Sequence, residues 1–118
     1  MKDIIHKLDG APGVRGALVM TLDGVVIASI PEEADHAPVA AFLSAVLVSI
    51  EKSAEMLGLV PLLRLTLSTA RGRLLLLPVG DLALAVIADG QTDLSSVLNQ
   101  VTALTRRLLR QSKIDVSQ

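Results

Sequence analysis

Few residues in this sequence have the type and spacing that covalent or acid–base chemistry needs. The two histidines, His6 and His36, fall in separate predicted helices, each near acidic residues. A general base needs a substrate proton within reach and an orienting neighbour, so a lone imidazole near a helix end reads as a surface group. No His-x-x-His or Glu-x-x-His pair offers metal-ligand spacing, and the chain has no cysteine. There is no nucleophile elbow, no phosphate-binding glycine loop with its lysine and no dinucleotide fingerprint. Gly10-x-x-Gly13-x-x-Gly16 leads into a strand rather than opening a helix, so its glycines read as turn and packing positions. Asp81 and Asp89 sit at predicted strand ends, where acids are ordinary turn residues. The expectation is a protein with no catalytic residue, no cofactor and no metal: a binding or scaffold protein, not an enzyme.

Composition narrows the partners. The 118 residues suit one domain spanning 1–118, with a core of real size. Hydrophobic residues make up 51 % of the chain, yet Phe42 is the only aromatic, so the core must be aliphatic. Nucleic-acid bases stack on aromatic rings, and the net charge of −1 gives no broad basic face. Nucleic acid is therefore not an expected partner. Lys2, Asp3 and Lys7 interrupt the N-terminus, which lacks the apolar core of a signal peptide. Position 2 is not glycine, so myristoylation is not expected. The uncharged run Ala37 to Ile50, about fourteen residues, is short for a membrane span. Cytoplasm is the default compartment.

The elements that position these residues follow from periodicity and punctuation. Met1, Ile4, Ile5 and Leu8 fit one face of a short helix, closed by Gly10, Pro12 and Gly13. Val14–Leu22 and Val25–Ile30 are strand candidates joined by Asp23-Gly24, a dipeptide that favours a tight hairpin turn. Glu32, Glu33 and Asp35 form an acidic loop. A helix follows over 35–57, capped by Asp35, with Pro38 in its first turn, Gly58 as its C-terminal stop and Pro61 beyond. Leu63, Leu65 and Leu67 alternate with Arg64, Thr66 and Ser68 in a strand with one wet face. Arg71-Gly72 turns the chain into the apolar strand Leu74–Val79, and Gly80-Asp81 turns it into Leu82–Ala88. Asp93 caps a last helix to about Gln111, with Leu94, Val97, Leu98, Val101, Leu104 and Leu108 as its stripe. Arg106, Arg107, Arg110 and Lys113 cluster at its C-terminal end, where positive charge suits the helix dipole. The tail from Ile114 is expected to fray. The order predicts an α+β sandwich in which helices cover a five-stranded antiparallel sheet; pairing of the first and last strands would join hairpin and meander.

The helix over 35–57 is the unusual element. Val39, Phe42, Leu43, Val46, Ile50 and Leu57 make a core stripe. The rest is also small or apolar, and charge enters only with Glu51, Lys52 and Glu55. A helix apolar all round needs cover on more than one side, and one small domain has a single core, so the second cover is expected from another chain, the alternative being an unusually apolar helix in a crowded monomer. Opposite the expected core stripe, Ala41, Ser44, Ala45, Val48, Lys52 and Glu55 share a strip. Paired side by side, two such strips make a platform with an apolar centre and a charged rim, suited to a partner protein. The same strip could instead serve helix packing within a dimer.

Three stretches carry a family resemblance: Pro12-Gly13-Val14-Arg15-Gly16-Ala17-Leu18-Val19-Met20, Asp23-Gly24-Val25-Val26-Ile27-Ala28, and Val79-Gly80-Asp81-Leu82-Ala83-Leu84. With the small-residue helix between them, they resemble the Roadblock/dynein light chain family over essentially the whole chain. The resemblance implies a profilin-like fold of topology αββαβββα, strand order 2-1-5-4-3, with helices on both faces. It implies a dimer, homo- or hetero-, in which third strands pair edge to edge, here Leu63, Arg64, Leu65, Thr66, Leu67 and Ser68, with the long helices side by side. Prokaryotic members regulate Ras-like small GTPases, and their long helices help contact the GTPase. Eukaryotic members serve dynein and endosomal GTPase scaffolds. The implied function is a non-enzymatic dimeric regulator or scaffold for a Ras-like small GTPase, with modulation of its GTP hydrolysis as one form of that role. The alternative is a structural adaptor of a motor or membrane-associated assembly without GTPase regulation. A third class, a small-molecule hydrolase or sensor, has no motif behind it. Arg15, Arg64, Arg71 and Arg73 qualify as a transition-state arginine by residue type alone.

Overall fold

Glycine and threonine chemistry sets the turns, and the turns set the strands. Gly24 takes φ of +92°, a conformation that costs other residues free energy. Its N–H donates to the Thr21 carbonyl at 3.0 Å, and the Thr21 hydroxyl accepts from the Val25 N–H at 3.1 Å. The second hairpin is tied by Thr69, whose Oγ1 accepts from the N–H groups of Arg71 and Gly72 at 3.2 and 3.1 Å. The computed structural model describes residues 5–31, 35–90 and 94–116. A 3-10 turn at His6–Leu8 precedes β1 (Val14–Thr21), β2 (Val26–Ile30), α1 (Ala37–Met56), β3 (Leu65–Ser68), β4 (Gly72–Val79), β5 (Leu82–Asp89) and α2 (Leu94–Val116).

The strands form one antiparallel sheet of order β2-β1-β5-β4-β3. The β1–β5 pairing, with Ala17 opposite Val86 and Val19 opposite Leu84, is the join that unites hairpin and meander. Side chains alternate across the pleat, which builds a core on each face. One core holds Leu18, Met20, Leu76, Ala83 and Ala85 with Ala40, Leu43 and Leu47 of α1. The other holds Ala17, Val19, Leu75, Leu77, Leu84 and Val86 with Ile5, Leu8, Val101 and Leu104. Helices on both faces and this strand order make the architecture profilin-like.

Several expected boundaries move. The N-terminal helix is a single 3-10 turn after Ile5; Met1 and Ile4 lie outside the described residues. The strand expected from Leu63 begins at Leu65, so Leu63 and Arg64 belong to the approach from Pro61. The last helix continues to Val116 instead of fraying from Ile114. Glu32, Glu33 and the Asp93 cap lie outside the described residues. Of the α2 stripe, Val101 and Leu104 are buried.

Candidate partner-binding surface

Helix α1 is made by its composition and stopped by one glycine. Alanine is the commonest of its 20 residues, with five, and it favours the helix intrinsically. The cap residue is His36, not Asp35. Asp35 still satisfies a free donor, its Oδ1 accepting from the Ala37 N–H at 3.1 Å. His36 Nε2 lies 2.9 Å from the Pro31 carbonyl oxygen, tying the helix start to the end of β2. At the other end Gly58 takes φ of +74°. Its N–H donates to the Glu55 carbonyl at 3.1 Å and the Leu59 N–H to the Ala54 carbonyl at 2.7 Å. That pair of bonds is a Schellman motif, which satisfies carbonyls the helix end leaves open.

The buried face of α1 differs from the expected stripe. Ala40, Leu43, Ser44 and Leu47 are buried. Phe42 is 67 % exposed and Val39 is 39 % exposed, while Leu57 lies open beyond the helix end. At about 100° per residue, the true sheet-facing stripe is turned by roughly 90° from the expected one. The reason lies in the sheet: Ala83 and Ala85 stand beneath α1 beside Leu18, Met20 and Leu76. This floor takes the helix on Ala40 and Ser44, with Leu43 and Leu47 inserted alongside. Burying those two leucines is worth about 1.5–3 kcal/mol each.

Ser44 is therefore a sheet-facing residue and leaves the expected platform. It is 9 % exposed and its Oγ donates to the Leu22 carbonyl at 2.6 Å. The hairpin turn presses on the same place. A Cβ added to Gly24 would stand 3.2 Å from the Ala40 carbonyl oxygen, the Ala41 Cα and the Ser44 Cβ. This contact orients the helix. Ala41 borders the hairpin, and helical spacing puts Ala45, Val48, Lys52 and Glu55 along the same upper flank; all five are exposed. The flank turned away from the hairpin carries Val39, Phe42 and half-buried Val46.

The apolar surface extends past the helix. Leu63 is 77 % exposed and Leu67 is 54 % exposed. β3 is an edge strand, paired with β4 and free along its other side among the described residues. Leu65 is half-buried against the α1 core, while Arg64, Thr66 and Ser68 are exposed. α1 is also long and apolar enough, by length and composition alone, to cross a membrane, with mean hydropathy 1.4. This passes a limit that the uncharged run alone fell short of; in the fold the helix serves as one cover of the sheet.

The residues first considered for chemistry stay apart. His6 Nδ1 stands 4.0 Å from Asp9, far along the chain from His36 at the start of α1. Asp89 pairs with Arg15 at 3.4 Å, and Arg15 Nη1 also donates to the Arg71 carbonyl at 3.5 Å. These groups clasp the β1, β4 and β5 ends. Arg73 is half-buried opposite Ser68. Among the described residues no group of three or more His, Asp or Glu could hold a metal ion.

A surface of this kind on this fold has a family. The Roadblock/LC7 domain model matches residues 1–88. The chain belongs to the Roadblock/LC7 domain family. The matched Roadblock segment contains α1, β3 and the sheet through Ala88, and so the exposed apolar surface of α1 and β3. The uncharacterized protein MJ0714 of Methanocaldococcus jannaschii is 30 % identical over 95 residues, covering 80 % of each chain. Among solved structures, Myxococcus xanthus MglB superposes with TM-score 0.88 at 17 % identity, covering 95 % of this chain and 94 % of that one. Acanthamoeba castellanii profilin IB superposes with TM-score 0.64 at 18 % identity, covering 91 % and 94 %. These two likenesses establish the fold.

Proposed function

We propose that this Roadblock protein is a non-enzymatic, homodimeric regulator or scaffold that binds a Ras-like small GTPase in the cytoplasm. The observation that carries the reading is the exposed apolar surface of α1 and β3, with Phe42, Leu63 and Leu67 outside the core. Large exposed apolar patches on small soluble folds mark partner surfaces. Membership of the Roadblock/LC7 family and the likeness to MglB support a GTPase-associated role.

Two flanks of α1 suit two partners. The flank away from the hairpin, with Val39, Phe42 and Val46, is assigned to the second copy, together with the open edge of β3. An unpaired strand edge offers N–H and C=O groups to an identical strand. The upper flank, Ala41, Ala45, Val48, Lys52 and Glu55, is assigned to the GTPase. Its small residues admit a close approach, and its charges lie toward the far end as a rim. Ser44 is not part of this platform.

The test is Ala41→Arg combined with Ala45→Arg. Both positions are exposed, so the variant should fold and stay dimeric while no longer retaining a small GTPase from the source lysate. Collapse to monomers would assign the upper flank to dimer packing. Absence of any GTPase from the parent's eluate would favour the adaptor reading.

A further inference from the structure

On the sheet face opposite α1, a half-open pocket of about 260 Å³ lies between the 3-10 turn and α2, lined by Lys7, Leu8, Gln100, Ala103, Leu104 and Arg107. We infer that this pocket binds a small amphiphilic anion, a short aliphatic carboxylate, and that it does so independently of the partner surface proposed for α1. Three observations carry this. The first is the apolar wall: Ala103 is exposed, and Leu104 and Leu8, 4 % and 0 % exposed, lie buried behind it, so the pocket is backed by the core. The second is charge. Its two ionisable lining residues are both cationic, and among the described residues neither Lys7 nor Arg107 has an ion-pair partner. Two like charges at one pocket repel, and a single anionic head between them relieves this. A guanidinium also matches a carboxylate in planar, two-point geometry. The third is shape. Gln100, Ala103, Leu104 and Arg107 share one helical face, with the arginine at one end and the amide at the other. A head held at Arg107 and Lys7 therefore directs its chain along Ala103 and Leu104.

Size sets the scale of the ligand. An apolar cavity of about 150 Å³ accepts benzene, so this volume corresponds to roughly ten non-hydrogen atoms. Octanoate has that size. The chemistry could come from a free aliphatic acid or from an anionic lipid surface; the half-enclosed pocket favours the free acid.

The full-length protein, methyl-labelled for NMR, is titrated with sodium octanoate, with octanol and with phosphatidylglycerol vesicles. Octanoate should shift the methyls of Leu8, Ala103 and Leu104 in a saturable way. Octanol, which lacks the charge, should bind about tenfold more weakly, as should octanoate to Lys7→Glu combined with Arg107→Glu. Ala103→Phe, at an exposed position, should fill the pocket and abolish the shifts while the spectrum stays that of the folded chain. The inference is overturned if octanol binds as well as octanoate, if charge reversal leaves the affinity unchanged, or if the shifts fall on α1. A response to vesicles without one to octanoate also overturns it.

Discussion

Gly24 and Gly58 both have positive φ, yet they do different work. At Gly58 an added Cβ meets nothing within 4 Å, so Gly58→Ala carries only the backbone cost of a left-handed residue, about 1 kcal/mol. At Gly24 the same Cβ meets three atoms of α1 at 3.2 Å, two of them backbone. Gly24→Ala must strain the turn and lift the helix as well, and we expect it to cost on the order of 2–3 kcal/mol. Urea unfolding of the two variants beside the parent separates the terms; equal losses would mean that the hairpin–helix contact adds nothing. Ser44 completes this junction. Ser44→Ala removes the donor to the Leu22 carbonyl and should cost about 1 kcal/mol in the same measurement. The Asp-Gly pair announces the turn in the sequence. Nothing in it announces that the turn abuts a helix 16 residues further on, because that contact exists only after the sheet has formed.

At the scale of elements, the fold is legible wherever period and punctuation agree. Five strands, their order of appearance and both major helices follow from alternation, stripes and glycine–proline stops. The face of α1 is the instructive failure. Val39, Phe42, Leu43, Val46 and Ile50 make a valid apolar stripe, and so do Ala40, Leu43, Ser44 and Leu47. Periodicity reports that a stripe exists; it does not say which of two apolar faces meets the sheet. The choice is made by the small side chains of Ala83 and Ala85 beneath the helix, a feature of another element. In the fold Val39, Phe42 and Val48 of α1 stay exposed, and their cover by a second chain is what we propose. The strand β3 gives the same lesson in reverse. Its alternation places Leu65 and Leu67 on one face, yet Leu65 packs against the α1 core while Leu67 is exposed. A charge at Leu67 leaves the core untouched and opposes edge pairing. We expect Leu67→Lys to change monomer stability by about 0.5 kcal/mol or less. Its light-scattering mass should fall from two chains to one, and a persisting dimer would take β3 out of the interface.

For the whole molecule the question is how a 118-residue chain with 51 % hydrophobic residues keeps so much of that surface outside its core. Both sheet faces are already covered, one by α1 and the other by α2 with the 3-10 turn. Among the described residues, much of the exposed apolar surface lies on α1, the segment after it and β3, where Phe42, Met56, Leu59, Leu63 and Leu67 stand open, and a smaller part on the first hairpin at Val25 and Ile27. Burial of that surface against a second copy would couple folding to association, and coupling has a thermodynamic signature. The stability of a dimer that unfolds as it dissociates rises with protomer concentration, by about 1.4 kcal/mol for each tenfold step. For two chains of 118 residues, an unfolding entropy of about 2.1 cal/mol/K per residue converts this to roughly 3 °C in Tm. Calorimetric melts across a tenfold concentration range should show that rise in the parent. Phe42→Arg places a charge in the centre of the open flank without disturbing the sheet-facing residues, so it should abolish the rise and lower Tm while the chain still folds. A parent whose Tm does not move with concentration would mean that the domain is stable alone, and that the apolar surface waits for a different partner.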